Sequence, residues 1–142
     1  MNNIEYVKNR IRKIIANSSI PEDPLHAENT LEWLLKLDPF ADEALQIAAL
    51  VHDIDRALEN KVQRSDFNNF DDFKQAHASN SAKFLRTILE QYKVENSIAK
   101  EASRLVELHE VGGDPRSDLL KDADSISFFD VNLPYYFKRE GW

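Results

Sequence analysis

The chain has 142 residues, 42% of them hydrophobic and 30% charged, a size and balance that fit one globular domain and exclude a disordered or fibrous polymer. With 25 acidic against 18 basic residues the net charge is −7, which excludes non-specific binding of long nucleic acid, because that affinity comes from Lys and Arg neutralising phosphates. No cysteine is present, so disulfides and thiolate sites are excluded and any metal must use imidazole and carboxylate.

No run approaches the roughly 20 apolar residues of a membrane span. The opening MNNIEYVKNRIRKIIANSSI lacks the apolar stretch of a signal peptide, so a cytoplasmic protein with no membrane association is expected. Only three Gly and five Pro favour helix over sheet, and neither repeat nor linker divides the chain. One all-α domain over 1–142, a bundle of about six helices, is the expectation.

In chain order, Ile4, Val7, Ile11, Ile14 and Ile15 recur at three and four residues and predict an amphipathic helix from about 3 to 17. Asp23-Pro24 reads as an N-cap followed by proline at the first helical position, opening a second helix that carries His26 in its first turn, with Leu25, Trp33, Leu34 and Leu37 on its apolar side. The Ala- and Leu-rich stretch from Ala41 to about Glu59 predicts a buried central helix, interrupted by His52 and Asp53. NKVQRSDFNNFDDF has no clean period and reads as an ordered loop, placed to lie over a cleft. A fourth helix follows from about Asp71 to Tyr92 and a fifth from about Glu95 to His109, which Val111-Gly112-Gly113 ends. Ser117 to about Phe137 reads as a last helix that Pro134 kinks or breaks. The aromatic ending YYFKREGW is a candidate surface for packing against the core or against a second copy in a homodimer.

All four histidines fall on or at the ends of predicted helices, beside apolar residues. Singly, each is more often a hydrogen-bonded structural residue than a ligand. The strongest signal is ALVHDIDRAL, where two polar side chains interrupt a buried helix. A buried carboxylate without a partner costs several kcal/mol, so Asp53 must be paired, neutralised or placed on a cation. Neighbouring helical residues point about 100° apart, yet both can reach one ion beside the helix.

The order His26, then His52-Asp53, then Asp124 resembles the H…HD…D signature of the HD superfamily of metal-dependent phosphohydrolases. The contexts DPLHAENTLEWLL, AALVHDID and LLKDADSISFF are similar to the family's three ligand-bearing helices, with a metal-binding core over about 23–130. His77 and His109 occupy the intervening order of members with two metals. The resemblance implies that His26, His52, Asp53 and Asp124 bind a first ion, that Asp53 bridges, and that His77 and His109 complete a second site. Asp122 stays open as the last ligand; Asp124 is preferred because a small residue, Ala123, precedes it as in the family, and Asp122 would face about 200° away.

The implied cofactor is one or two divalent ions among Mn, Fe, Ni, Co, Zn and Mg, since imidazole and carboxylate suit them all. The implied activity is hydrolysis of a nucleotide or other small phosphate ester by a water that the metal activates. Asp53 and Arg56 are the candidate catalytic residues; Arg56 projects near the face of Asp53, where many nucleotidases of the family carry a glutamate that this chain lacks. Arg64, Lys83 and Arg86 are further anion-contact candidates, more often simply solvated charges. Glu28 and Asp55 are candidates for orienting a ligand histidine. Trp33, Phe67, Phe70, Phe73 and Tyr92 are candidates for a base pocket, though such aromatics are more often core. Two other readings fit the same order: di-iron oxygenation, and a catalytically silent binding or signalling module.

Overall fold

Helix starts follow the polar residues able to cap them. In the computed structural model, which describes residues 2–139, helix α1 (Asn3–Ile15) opens on Asn2, whose Oδ1 accepts from Glu5 N at 3.0 Å. Asp42 caps α3 (Glu43–Val51) through Leu45 N, and Asn69 caps α4 (Phe70–Gln91) through Asp72 N. Helix α2 (Asp23–Leu37) takes Glu22 as its N-cap, one residue earlier than Asp23-Pro24 suggested, and has Pro24 in its first turn. Asp23 is thereby released from capping and accepts from Ser18 Oγ instead.

Helix α5 (Asn96–Leu108) ends before Gly112, whose φ of +70° lets its N–H return to Leu108 O at 2.7 Å. Helix α6 (Pro115–Ser127) begins two residues earlier than expected, because Asp114 and Ser117 form a capping box and proline suits the first helical position. No strand occurs among the described residues; the all-α expectation holds, with six helices of nine residues or more and a seven-residue α7 (Leu133–Arg139).

The chain departs from the sequence expectation in three places. The central helix stops at Val51 instead of running to about Glu59: Asp53 adopts φ −104°, ψ 16°, and a 3₁₀ turn follows over Ile54–Ala57. Partners outside the helix take over here, since Asp55 N donates to Ser81 Oγ and Asp55 Oδ1 accepts from Val62 N. The expected loop before α4 contains a 3₁₀ turn at Arg64–Asp66 and is shorter, because α4 starts at Phe70. The expected last helix is broken by a π-helical turn, Phe128–Asn132, just ahead of Pro134, which has no N–H to give to the carbonyl four residues back.

Helix α3 sits at the centre, packed by α1, α2, α5 and α6, and every residue from Ala44 to Val51 except Gln46 is buried. Helix α4 lies against α5, and α2 against α6. One continuous core joins Val7, Leu34, Ile47, Leu85, Leu105 and Leu120 from six helices. Each fully buried aliphatic side chain of this kind stabilises by about 1.5–3 kcal/mol relative to exposure. Leu25, expected on the apolar side of α2, is instead 50% exposed, and Phe128 and Phe129 face outward from the π turn. The end of YYFKREGW, residues 140–142, lies outside the described residues. No described helix is long and apolar enough to cross a membrane.

Candidate metal centre

The end of α3 decides where the chemistry sits. His52 is the C-cap of α3, and the turn at Asp53 directs the adjacent carboxylate back beside it. His26 from the first turn of α2, Asp124 from α6, His77 from α4 and His109 from the end of α5 converge on the same point.

Two groups of donors share Asp53, and a third, made of His109, Glu110 and Asp124, overlaps them. In the first, Asp124 Oδ1 lies 2.9 Å from His26 Nε2 and 3.2 Å from His52 Nε2, and Asp53 Oδ2 lies 3.5 and 3.3 Å from the same nitrogens. In the second, Asp53 Oδ1 lies 2.8 Å from His77 Nε2 and 3.9 Å from His109 Nε2. The two oxygens of Asp53 therefore face different groups. Asp122 is exposed and belongs to none of them, which favours Asp124 as the acidic member from α6.

The far side of every imidazole is fixed. His52 Nδ1 donates to Ala49 O at 2.8 Å and His109 Nδ1 to Val106 O at 2.7 Å. His26 Nδ1 meets Ser127 Oγ at 2.9 Å while that hydroxyl points to His26 O, and His77 Nδ1 donates to Asp55 Oδ2 at 2.9 Å. These bonds assign the Nδ1–H tautomer to each neutral ring and aim four Nε2 lone pairs inward. His26 Nε2 and His52 Nε2 stand 3.1 Å apart, an arrangement that two lone pairs sustain only with a positive charge between or beside them.

The residues fit a divalent cation. His109 Nε2 is buried and has no hydrogen-bond partner, although Glu110 Oε1 stands 3.2 Å away. Nitrogen and oxygen donors in these numbers suit borderline metals, and histidines anchored through Nδ1 are the usual support of such sites. The electrostatics agree: burial disfavours the His52 imidazolium, but the carboxylates of Asp53 and Asp124 outweigh it and raise its pKa well above the ordinary range. His77 is opposed by burial in the same way, and Asp53 and Asp55 lift it to about 9. Burial works against ionised Asp53 and Asp124, yet His52, Arg56 and the His77 hydrogen bond hold Asp53, and His52 with a hydrogen bond from His26 holds Asp124, below the usual carboxylate range. A site that stabilises positive charge this strongly would do the same for a metal ion.

Arg56 lies on the open side, Nη1 3.3 Å from Asp23 Oδ1, and with His26, Asp53 and Asp124 it lines a cavity of about 430 Å³. Other expected residues divide. Asp55 touches His77 as anticipated, whereas Glu28 is paired with Arg12 away from the centre. Trp33 donates to Asp130, and Tyr92 stacks on Tyr6 at 6.4 Å, so neither lines the centre. Lys83 and Arg86 are exposed, and Arg86 borders a different cavity between α4 and α5. Glu110 and Ser127 were not singled out from the sequence, and Asp23 was read only as a helix cap. Only Glu110 carried a local signal, as an acid beside a helix-end histidine.

Fold and site together define an all-helical protein with a His/Asp cluster able to hold metal ions. The chain belongs to the family described as Domain of unknown function (DUF4202), whose model matches residues 7–140. No curated protein and no solved structure matches the chain.

Proposed function

We propose that the protein is a cytoplasmic metal-dependent phosphohydrolase of the HD type, acting on a nucleotide or another small phosphate ester. One observation carries the proposal: four imidazoles, each anchored through Nδ1, present Nε2 to the two oxygens of Asp53, with Arg56 on the open side. The chain order of these residues is that of the HD signature.

A divalent ion bound there would neutralise phosphoryl charge and lower the pKa of the attacking water. Asp53 is placed to serve both donor groups, and Asp124 to complete the first. Arg56 is held charged, since the Asp53 and Asp23 carboxylates raise its pKa further, and it would fix the substrate anion at the mouth. Asp55 would hold the His77 ring in place.

The test is elemental analysis of the purified protein, then a screen of phosphomonoesters and phosphodiesters with Mn²⁺, Ni²⁺, Co²⁺ or Mg²⁺. Turnover that disappears in Arg56→Ala supports the proposal. Bound iron with visible absorption and no esterase activity would replace it with the oxygenase reading, and inertness towards every ester with metal bound would reject catalysis.

A further inference from the structure

A second cavity, of about 540 Å³, lies between the 3₁₀ turns and the start of α4, and Arg56, Glu110 and Phe128 form walls of both it and the first. His77 reaches it from the histidine cluster. Four cationic side chains line it, Arg56, Lys61, Arg64 and Lys74, in a chain of net charge −7. Its two acids are engaged: Asp55 accepts from His77, Asn80 and Val62 N, and Glu110 stands 3.3 Å from Lys74. Lys61 and Arg64 form no ion pair among the described residues; Arg64 Nη1 donates to Phe67 O, and its guanidinium lies 5.8 Å from the Phe70 ring. Clustered like charges repel one another, and an anion relieves that cost.

The same wall carries an aromatic row. Phe70 lies 6.0 Å from Phe73, and Phe73 lies 6.4 Å from His77, while Phe70 is 55% exposed at the cavity edge. An exposed ring beside two cations suits a flat, electron-rich partner.

We propose that this cavity holds the far end of the substrate, and that this end carries a second anionic group and an aromatic ring, the chemistry of a nucleotide with more than one phosphate. The inference rests on the phosphohydrolase reading for the orientation of the ligand, with the scissile phosphate at the histidine cluster. Lys61 and Arg64 take the second anionic group, and Phe70 and Phe73 take the ring. The cavity's volume is in the range that accommodates a ligand of that size.

The test is equilibrium binding, by calorimetry in the cold on the purified protein with its own metal content, of adenosine 5′-monophosphate, inorganic pyrophosphate and adenosine 5′-diphosphate. Adenosine diphosphate is expected to bind about tenfold tighter than either of the others, the size of one charge-assisted contact or one ring contact. The double variant Lys61→Gln/Arg64→Gln, at exposed positions, should lose the preference for the diphosphate over the monophosphate. Equal affinity for diphosphate and monophosphate, or a preference that survives the double variant and so belongs to the metal, overturns the second anion site; equal affinity for diphosphate and pyrophosphate overturns the ring site. A binding preference that follows these expectations in a protein inert towards every ester would reject the hydrolase reading and leave the ligand class standing.

Discussion

Asp55 Oδ2 accepts from His77 Nδ1 at 2.9 Å while the opposite nitrogen of the same ring faces Asp53 Oδ1 at 2.8 Å. Two carboxylates from one short turn thus hold the imidazole at both ends, and Asp55 itself is buried and takes further bonds from Asn80 and Val62 N. Asp55→Ala would leave the buried His77 Nδ1–H without its partner, at about 1–3 kcal/mol, and would take an acceptor from the part-buried Val62 N–H and Asn80 amide. The expected outcome is a clear drop in unfolding free energy in urea and metal affinity weakened by about 10–100-fold, the usual effect of losing a group that orients a ligand. Unchanged metal affinity in a folded variant would dissociate His77 from metal binding.

Metal content separates the two donor groups. Because Asp53 presents one oxygen to each, the expected content is two ions per chain, falling to one in His77→Ala or His52→Ala, each of which serves a single group, and to none in Asp53→Ala. Elemental analysis after gel filtration reads this directly. Chelation should lower Tm, since an ion at a hundred times its Kd stabilises the fold by about 2.7 kcal/mol, or about 5–10 °C for a chain of this size. A chelated protein that melts where the untreated protein does would deny a structural role to any metal. Full metal content in His52→Ala would refute the assignment of the centre.

Arg56 is tested by charge and shape together. Its Nη1 reaches Asp23, whose own pKa is raised by burial despite Ser18 and Arg56, so the pair is moderately held and the guanidinium still borders both cavities. Arg56→Lys keeps the charge but loses the planar fork that matches a phosphate. We expect kcat/KM on phosphate esters to fall by about 10–100-fold in Arg56→Lys and further in Arg56→Ala, with metal content retained in both. Loss of metal with the arginine would place its role in holding the site together instead.

The helices were legible because periodicity and caps are local: Val7 and Ile11 both enter the core as their spacing requires. The start of α6 was missed by two residues, since Asp114-Pro115 also suits a turn and only its capping box with Ser117 makes it a helix start. The metal-compatible cluster was legible because histidines beside apolar residues stand out, and all four converge. The end of α3 was hidden, since Ile54 continues the apolar pattern and is fully buried, while the helix ends through bonds to Ser81 and Val62 that no local window contains. Ser127 was hidden for the same reason, being 101 residues from the ring it supports. The π turn was hidden too, since the helix expected from Ser117 to about Phe137 placed its irregularity at Pro134, whereas the break begins six residues earlier at Phe128, where Phe128 and Phe129 are exposed.

Far from the centre, Arg116 joins the α3 cap to the start of α6: its Nη2 meets both oxygens of Asp42 at 3.0 Å and its Nε meets Glu101 at 2.6 Å. Burial opposes ionised Asp42, yet Arg116 and the Leu45 N–H hold it below its ordinary pKa; Glu101 is lowered chiefly by its bond to Arg104, with Arg116 adding to it. A carboxylate whose folded pKa is depressed contributes stability that is present above its unfolded pKa and is lost as pH falls through the folded value. Arg116→Met should therefore cost up to about 1 kcal/mol at neutral pH, discounted because the pair is partly exposed and screened, and less in high salt. The cost should shrink as pH drops below about 4, where unfolded Asp and Glu begin to protonate, and vanish once the folded carboxylates are also neutral. Urea unfolding of both proteins across pH 2–8 measures this, and a cost that stays constant into acid would mean that Arg116 acts by packing its stem and not by its charge.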